Sequence, residues 1–331
     1  MRVLLTHTPA MRSAYYGPRP LAALRSIATV TLHESDTPLS ARVLAEAAAG
    51  CEAIIADRAT PGTAETFAHA PDLIAFLRCA VDVSTIDIPA ASAAGVLVTQ
   101  ATPGFTDSVA ELAIGLMVDL ARGVSAYASA FRARRVPQPR PGVQLAGRTL
   151  GLVGHGRIAR RVAEIAMAMR MRVLATDPHA PPQPGVERVP LNRLLAGSDV
   201  VMPLAVATEA TRHIIDARAL AAMPRGSFLV NLSRGQLVDE AALRAALDSG
   251  HLAGAAMDVG SAPDQWPDPD LAARPDVTAT PHIGGLTPEA AEHQAMDTVR
   301  QVQALLEGRI PDGALNHADA HRLARLSRTA G

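Results

Sequence analysis

Cysteine is scarce in this sequence: Cys51 and Cys79 are the only two among 331 residues. Their spacing matches neither a zinc site nor a disulfide framework, so we predict two buried, reduced thiols and no metal. Charge of one sign is also lacking, because 31 basic and 32 acidic residues give a net charge of −1. Without excess positive charge, the chain lacks the electrostatic basis for binding nucleic acid or a membrane surface.

Long hydrophobic runs are absent as well. No apolar stretch approaches the roughly 20 residues that span a bilayer. The beginning, "MRVLLTHTPAMRS", is too short in its apolar part for a secretory signal. We therefore expect a soluble protein in the reducing cytoplasm. What the chain does have is 48% hydrophobic residues, enough for one large or two ordinary domains.

The chain alternates short aliphatic runs with longer segments rich in alanine, leucine and arginine. The first hundred residues contain five candidate strands: "RVLLTH", "ATVTLHE", "EAIIAD", "LIAFLRCA" and "VLVTQA". A second series contains six: "TLGLVG", "RVLATD", "SDVVMPLA", "SFLVNLS", "AGAAMDV" and "DVTATPH". Strands that alternate with helices predict parallel sheets covered on both faces, so we predict an α/β protein with two doubly wound domains.

The order of these segments also predicts how the domains are connected. Residues 106–135 begin with a Thr/Asp/Ser helix start and predict one long helix of the second domain. The last helix, "PEAAEHQAMDTVRQVQALLEG", follows the second series and could return to pack on the first domain. We therefore predict a discontinuous domain, residues 1–100 plus 288–331, into which residues 101–287 are inserted. We expect the polar tail after Pro311 to be loosely held.

A glycine-rich loop opens the second series. In "TLGLVGHGRIARRVAEIAMAMRMRVLATD" a strand runs into Gly154 and Gly156, a helix follows, and a second strand ends at Asp177. Gly154 permits a tight turn, Gly156 lets backbone amides approach a pyrophosphate, and the small Ala159 lets the helix pack closely. Asp177 is placed to accept hydrogen bonds from the adenosine ribose and to repel a 2′-phosphate. The pattern predicts an NAD site, which also includes His155, Arg157 and Ile158.

Three further stretches complete a family pattern: "LVNLSRGQLVDEAAL", "LAGAAMDV" and "TPHIGG". With the glycine loop, they resemble the D-isomer-specific 2-hydroxyacid dehydrogenases. The resemblance implies a Rossmann-type NAD domain inserted into a flavodoxin-like substrate domain, with a cleft between the domains. It implies hydride transfer between NAD(H) and a small 2-keto or 2-hydroxy acid. It also implies a homodimer, with the helix over 107–134 as the expected contact.

Two side chains suit this chemistry. Arg234, in "NLSRGQ", is the candidate clamp, because a guanidinium binds a planar carboxylate bidentately and could polarise the ketone. His282, in "TPHIGG", is the candidate acid or base, because histidine titrates near neutral pH. From position alone, Arg234 could equally be a surface arginine at a strand end, and His282 a loop histidine. The resemblance favours the catalytic roles.

The resemblance also assigns further cofactor contacts. Asp258 ends a strand at the carboxyl edge of the sheet, and in the family this aspartate contacts the nicotinamide end of NAD. His155, within the glycine loop, is expected to contribute its backbone. The remaining predicted contacts to the cofactor are Thr211, Leu232, Ser233, Arg234, His282, Gly284 and Gly285.

The chain departs from the family where a glutamate normally pairs with the histidine. That glutamate stands five residues after the aspartate, and here the position is Pro263. We predict that Asp264 replaces it, orienting the His282 imidazole and raising its pKa. Gln265 is the competing partner, and His282 could also have no acidic partner. Asp268 and Asp270 are predicted to be turn residues or to start a helix.

A second departure concerns the predicted substrate loop, Ala80, Val81 and Asp82. Ala80 and Asp82 stand where the family has glycines whose loop amides bind the substrate carboxylate. A carboxylate at Asp82 would disfavour an anionic substrate, unless Arg78 neutralises it. Asp82 could therefore point away, the substrate could bind differently, or the substrate could carry a cationic or hydroxyl group. Leu204 and Val206 replace a family His and Pro along the cofactor.

Three functions are compatible with these patterns. The favoured one is an NAD-dependent 2-hydroxyacid dehydrogenase that works mainly as a 2-keto acid reductase. A regulatory or scaffolding protein that binds NAD(H) without turnover would share the fold, since fold does not dictate function. A dehydrogenase of another small acid, of the formate or phosphite type, would use the same hydride geometry.

Overall fold

The computed structural model describes residues 1–328, and all their side chains except those of residues 264, 327 and 328. The chain forms two compact units. Unit 1 contains Met1–Gly104 together with the chain from Thr287 onward, and unit 2 contains Phe105–Leu286. Each unit is built on a fully parallel sheet, one of five strands and one of seven. The prediction of two doubly wound α/β domains is confirmed.

Unit 1 begins with five strands joined by helices, and all five predicted strands are present. Strands with fully buried runs, such as "AIIA" and "AFLR", form the centre of its sheet. The elements are β1 (Arg2–Leu5), α1 (Pro9–Met11), α2 (Pro18–Ile27), β2 (Thr29–Leu32), α3 (Ala41–Ala47), β3 (Ala53–Ala56), α4 (Ala64–His69), β4 (Ala75–Arg78), α5 (Ile88–Ala93) and β5 (Leu97–Thr99). The sheet order is β2-β1-β3-β4-β5.

Unit 2 begins with helices and continues with the larger sheet. Its elements are α6 (Thr106–Arg122), α7 (Val124–Arg132), β6 (Thr149–Val153), α8 (Arg157–Ala168), β7 (Arg172–Thr176), β8 (Val186–Arg188), α9 (Leu191–Gly197), β9 (Val200–Pro203), α10 (Ala217–Ala222), β10 (Ser227–Asn231), α11 (Glu240–Asp248), β11 (Leu252–Met257), α12 (Pro269–Ala272) and β12 (Val277–Ala279). The sheet order is β12-β11-β10-β9-β6-β7-β8. The order reverses between β6 and β9, which makes their carboxyl ends the expected ligand site.

Two details of unit 2 differ from the sequence-based prediction. The single long helix over 106–135 is wrong: the helix breaks at Gly123, which has φ +67°, and continues as α7. The Asp119 carboxylate accepts hydrogen bonds from the backbone and hydroxyl of Ser125, which stabilises the break. Strand β8 was missed because "VER" has no apolar run and follows a proline-rich segment.

The chain returns to unit 1 with α13 (Pro288–Leu306), whose buried face packs on the strands and on α2. For the described residues after Pro311, the expectation of a loosely held tail is wrong. The Asn316 side chain accepts a hydrogen bond from Val98 N at 2.8 Å and donates one to Val96 O at 2.9 Å. Leu315 N also donates to Val98 O. The tail therefore covers the edge strand β5, whose unpaired backbone groups it satisfies.

No helix in the described part of the chain combines the length and the apolarity that a membrane crossing requires. Cys51 and Cys79 are both buried, and neither forms a disulfide in the described structure.

Polar side chains are buried at the carboxyl edge of the unit 1 sheet. The Asp57 carboxylate accepts hydrogen bonds from the hydroxyls of Thr6 (2.8 Å) and Thr60 (2.6 Å). Next to them, His7 is 1% exposed and packs edge-on against the ring of Tyr16, with centroids 5.2 Å apart. Burial lowers the pKa of His7 from 6.5 to about 4, so its imidazole is neutral at pH 7.

We expect His7 to make unfolding depend on pH. Below pH 6.5 the unfolded chain protonates this histidine, whereas the folded chain does so only near pH 4. The stabilisation is therefore complete above pH 6.5 and is lost as the pH falls toward 4, by about 1.4 kcal/mol per pH unit. Urea unfolding at pH 6.5 and 4.5 should show wild type losing about 2–3 kcal/mol more than His7→Gln. The partly exposed His33→Gln is the control, and equal losses in wild type and His7→Gln would contradict the assignment.

Candidate active site

The glycine loop lies between β6 and α8, at the point where the strand order of unit 2 reverses. Gly154 has φ +95°, and a Cβ there would lie 2.5 Å from the backbone nitrogen of Ala205 in the loop after β9. Gly154 is therefore required both by its conformation and by this close approach. At Gly156, by contrast, a Cβ would meet no described atom within 4 Å, so the backbone there is open to a ligand.

Helix α8 directs its first turn toward this opening. Gly156 precedes the helix, and no described side chain caps it. The first amides of a helix have no partner within the helix, and they carry a partial positive charge that suits phosphate. Arg157 and Ile158 provide two of these amides. Ala159, 1% exposed, allows the close packing of α8 against the sheet.

Asp177 follows β7 and is held by backbone amides. Its carboxylate accepts hydrogen bonds from the amides of His155, His179 and Ala180, at 2.8, 2.8 and 2.9 Å. Partial burial raises the pKa of Asp177, but these hydrogen bonds outweigh burial and hold its pKa below the ordinary value. The side chain is therefore an ionised acceptor at neutral pH.

A pocket of about 320 Å³ lies beside this carboxylate. Residues of β7, β8 and their flanking loops line it: Ala175, Thr176, Asp177, Pro178, Arg188, Val189 and Pro190. An apolar pocket with an acceptor at its rim suits an adenosine group, and the open backbone at Gly156 suits a pyrophosphate. The residues of unit 2 therefore fit a dinucleotide.

Arg234 follows β10 in a turn organised by Asn231. The buried Asn231 side chain accepts a hydrogen bond from Ser233 N (3.1 Å) and donates one to the Arg234 carbonyl (3.0 Å). The Arg234 side chain is exposed, and its Nη1 donates to the Ser233 carbonyl at 2.8 Å. The turn fixes the backbone of Arg234 and leaves the guanidinium at the surface of the carboxyl edge.

Asp258, directly after β11, holds the turn that contains His282. It is 1% exposed. Its carboxylate accepts hydrogen bonds from the Thr280 hydroxyl (2.6 Å) and from the amides of Ile283 and Gly284, both at 2.8 Å. His282 has φ +56°, a left-handed conformation that non-glycine residues adopt at some cost. The buried carboxylate maintains this conformation, so Asp258 has a structural role besides its predicted contact with nicotinamide.

The other predicted cofactor residues lie on loops of the same edge. The Thr211 hydroxyl donates to the Val206 carbonyl at 2.7 Å and closes its own turn. The Ser233 hydroxyl donates to the Ala205 carbonyl at 3.0 Å, which joins the loops after β10 and β9. Leu232 is buried, whereas Gly285 is exposed.

The loop between β11 and α12 carries the proposed partner of His282. The side chain of Asp264 lies outside the described part of the structure. Gln265 Oε1 is buried and accepts no hydrogen bond from any described residue, which does not favour Gln265 as the partner. Asp268 caps α12 by accepting a hydrogen bond from Leu271 N at 2.9 Å, so the prediction of a helix start there is confirmed.

The predicted substrate loop lies in unit 1, after β4. Asp82 Oδ1 accepts a hydrogen bond from Ser84 N at 2.9 Å, and Asp82 Oδ2 lies 3.8 Å from Arg58 Nε. Partial burial raises the pKa of Asp82, but the hydrogen bonds from Ser84 and the charges of Arg58 and Arg78 lower it by more. The pKa of Asp82 is therefore below its ordinary value, and the carboxylate is ionised. Arg58, rather than the buried Arg78, forms the ion pair. The Asp82 carboxylate is therefore engaged within its own loop.

Four further residues that shape these loops were not indicated by the sequence patterns: Asn231, Thr280, Gln183 and Arg58. Thr280, Gln183 and Arg58 act through contacts with residues distant in sequence, whereas Asn231 organises its own turn. Only Asn231, in the turn sequence "NLSRG", had a local pattern that could have identified it.

The glycine loop, the amide-held Asp177 and the switch in strand order define a dinucleotide-binding protein of the Rossmann type. Residues 114–284 match the family described as "D-isomer specific 2-hydroxyacid dehydrogenase, NAD binding domain". The chain belongs to this family of NAD-dependent dehydrogenases, and its cofactor is NAD.

Relatives of known name cover most of the chain. (S)-sulfolactate dehydrogenase of Chromohalobacter salexigens is 38% identical over 86% of this chain and 94% of its own. Glyoxylate reductase of Korarchaeum cryptofilum is 34% identical over 90% of this chain and 92% of its own. The chain spans only 51% of the D-3-phosphoglycerate dehydrogenase of Mycobacterium tuberculosis, to which it is 34% identical.

A solved structure agrees with the fold. The crystal structure of a putative D-isomer specific 2-hydroxyacid dehydrogenase from Polaromonas sp. JS6 66 superposes with a TM-score of 0.84 and 27% identity. The match covers 95% of this chain and 99% of that one.

Asp177→Asn should weaken NADH binding. The asparagine keeps an acceptor oxygen for the surrounding amides but loses the charge that strengthens hydrogen bonds to the ribose. We expect the Kd of NADH to rise about tenfold, and the preference for NADH over NADPH to narrow, since charged hydrogen bonds exceed neutral ones by about 1–1.5 kcal/mol. Fluorescence titration measures both, with the exposed Asp36→Asn as the control. Unchanged Kd values would mean that Asp177 only holds its loop.

Proposed function

We propose that the protein is an NAD-dependent D-2-hydroxyacid dehydrogenase that reduces a small 2-keto acid. One observation carries the proposal. The neighbouring strands β10, β11 and β12 end in loops that bear Arg234, Asp258 and His282, all at one edge of the NAD-binding unit. A clamp for a carboxylate and a titratable proton carrier thus share the edge at which open α/β sheets bind ligands.

Arg234 binds the substrate carboxylate in this mechanism. A guanidinium presents two parallel N–H groups to a carboxylate, which fixes the orientation of the neighbouring C2 carbonyl. Its positive charge also stabilises the negative charge that develops on the carbonyl oxygen during reduction. The turn organised by Asn231 holds the Arg234 backbone for this role.

His282 supplies the proton. The glycine loop and Asp177 would hold NADH, which would supply a hydride for C2 of the substrate. The protonated His282 imidazole gives its proton to the carbonyl oxygen, which leaves a neutral histidine and completes the 2-hydroxy acid. In the oxidative direction the neutral imidazole takes the hydroxyl proton. Asp258 supports this role because it holds the turn on both sides of His282.

Asp264 is the proposed carboxylate partner of His282. A negative charge beside the imidazole favours its cationic form, which is the form that reduction requires. The proposal rests on the position of Asp264, one residue after the place of the family glutamate.

The substrate we propose is a small anionic 2-keto acid. The relatives named for sulfolactate and glyoxylate support a short carbon skeleton. The ion pair between Asp82 and Arg58 also supports an anionic substrate, because it offsets the negative charge of the substrate loop. A substrate with a cationic group is less favoured, since the Asp82 carboxylate is already engaged.

His282→Ala should lower kcat/KM for keto acid reduction by about 10²- to 10⁴-fold, because general acid catalysis contributes that much. The rate of NADH oxidation at 340 nm gives kcat/KM for each of six keto acids: glyoxylate, pyruvate, hydroxypyruvate, 2-ketobutyrate, phenylpyruvate and oxaloacetate. Arg234→Lys should lower kcat/KM as well, since the bidentate contact is lost. The exposed His317→Ala is the control and should stay within twofold of wild type.

Asp264→Asn should move the pH profile of reduction in a defined direction. Loss of that negative charge disfavours a cationic imidazole, so the decline of kcat with rising pH should begin at a lower pH. An unchanged kcat and pH profile would remove Asp264 from the mechanism. NADH binding without turnover of any keto acid would favour the regulatory protein, and turnover of formate or phosphite would favour that class of dehydrogenase.

We also propose that the protein is a homodimer that associates through α7. None of the nine residues of this helix is buried. Val124, Tyr127 and Phe131 follow one another at helical spacing on one face, and Val124 and Phe131 are 55% and 61% exposed. An apolar stripe of this kind on an otherwise polar surface is typical of a protein interface.

Phe131→Asp should convert the dimer to a monomer, because it places a charge in the proposed apolar contact. Light scattering coupled to size exclusion should report the mass of two chains for wild type and of one for the variant. Val43→Asp, on the exposed surface of α3 in unit 1, is the matched control. A monomeric wild-type protein would contradict the proposal directly.

A further inference from the structure

The segment that follows Asp177 has few ways to anchor itself. Residues 177–185 read "DPHAPPQPG" and contain four prolines, which donate no backbone hydrogen bond. Two of the remaining amides, those of His179 and Ala180, donate to the Asp177 carboxylate. Side-chain contacts must therefore attach the rest of the segment to the body of unit 2.

Gln183 provides such a contact. It stands between two exposed prolines but is itself partly buried. Its Oε1 lies 2.9 Å from His155 Nε2, and its Nε2 donates to the Arg160 carbonyl in α8 at 3.2 Å. The Arg160 guanidinium reaches back to the Pro181 carbonyl. Gln183 therefore links the segment to the glycine loop and to α8.

His155 contacts the segment at two points. Its backbone amide donates to Asp177, and its imidazole bonds to Gln183. The side chain is buried, although it lies between the two glycines of a loop that faces the cofactor. A buried histidine at this position is explained by the segment it holds.

We propose that His155 is a positioning residue for the adenosine half of NAD. Its hydrogen bond to Gln183 holds residues 177–185 against α8 and keeps the Asp177 carboxylate in the orientation that accepts the ribose hydroxyls. The proposal rests on the role of Asp177 in the proposed function, and it is independent of Arg234 and His282. It assigns a task to the His155 imidazole, in addition to the backbone contact expected from the loop.

The protonation state of His155 agrees with this role. Because the Gln183 amide nitrogen donates to Arg160, its oxygen faces His155, and Nε2 of His155 must carry the proton. Burial lowers the pKa of His155, and the charges of Arg160 and Arg188 add to this effect, while Gln183 and Asp177 oppose it. The imidazole is therefore a neutral donor at pH 7.

The test compares His155→Ala, Gln183→Ala and the double variant. All three keep the backbone amide that donates to Asp177. Each single change should raise the Kd of AMP and of NADH by about five- to twentyfold. This is the factor expected when one buried hydrogen bond is lost. The double variant should be no weaker than the weaker single variant, because both changes remove the same link. Isothermal titration calorimetry measures the Kd of AMP, and fluorescence titration measures the Kd of NADH.

Two controls separate positioning from loss of fold. His69→Ala, at an exposed histidine of α4 in unit 1, should bind AMP as wild type does. Gln183→Glu keeps an acceptor for His155 but loses the donor to the Arg160 carbonyl, and its Kd for AMP should lie between those of wild type and Gln183→Ala. In turnover assays, His155→Ala and Gln183→Ala should have a higher KM for NADH and an unchanged kcat.

Wild-type affinity for AMP in the double variant would overturn the proposal. Additive losses in the double variant would overturn it too, because the two side chains would then act separately. Failure of the proposed function would look different: no keto acid would be reduced, yet the titrations with AMP and NADH would still report on His155.

Discussion

A single buried carboxylate, that of Asp258, organises the edge on which the proposed chemistry depends. It accepts three hydrogen bonds from the turn over 280–284 and holds His282 in a left-handed conformation. A free loop would leave that conformation, because it costs energy for a residue with a Cβ. The sheet places the other loops: because β10, β11 and β12 are parallel neighbours, the loops that follow them lie at the same edge.

Local sequence patterns predicted the parts of the molecule whose causes are local. Gly154, Gly156 and Asp177 could be found because a tight turn, an open backbone and a strand-end carboxylate each require a particular residue at a particular spacing. Five strands of unit 1 and six of unit 2 were found because their runs are apolar. Strand β8 has no such run, and its pairing with β7 is visible only in three dimensions.

Most of the features that were missed or mispredicted depend on contacts between distant residues. Arg78 was named as a residue that could neutralise Asp82, and its charge does lower the pKa of Asp82, but its guanidinium donates to the Asp57 carbonyl and the Thr85 hydroxyl. Arg58, 24 positions away, forms the ion pair. The docking of the tail through Asn316 has the same character, since a polar segment gives no local indication that its side chains will satisfy an edge strand. The end of α6 has a local cause, the left-handed backbone of Gly123. It was not predicted because an isolated glycine within a helical pattern is only a weak indication of a break.

The covering of β5 by the tail has a consequence for how the chain can be altered. Because the residues around Asn316 satisfy backbone groups of an outer strand, this end of the chain is part of the sheet and cannot be treated as a free extension. Shortening the protein there would uncover a flat edge able to pair with the same edge of another molecule. Deletions that reach Asn316 would remove this cover and leave the backbone groups of β5 free to pair with another chain.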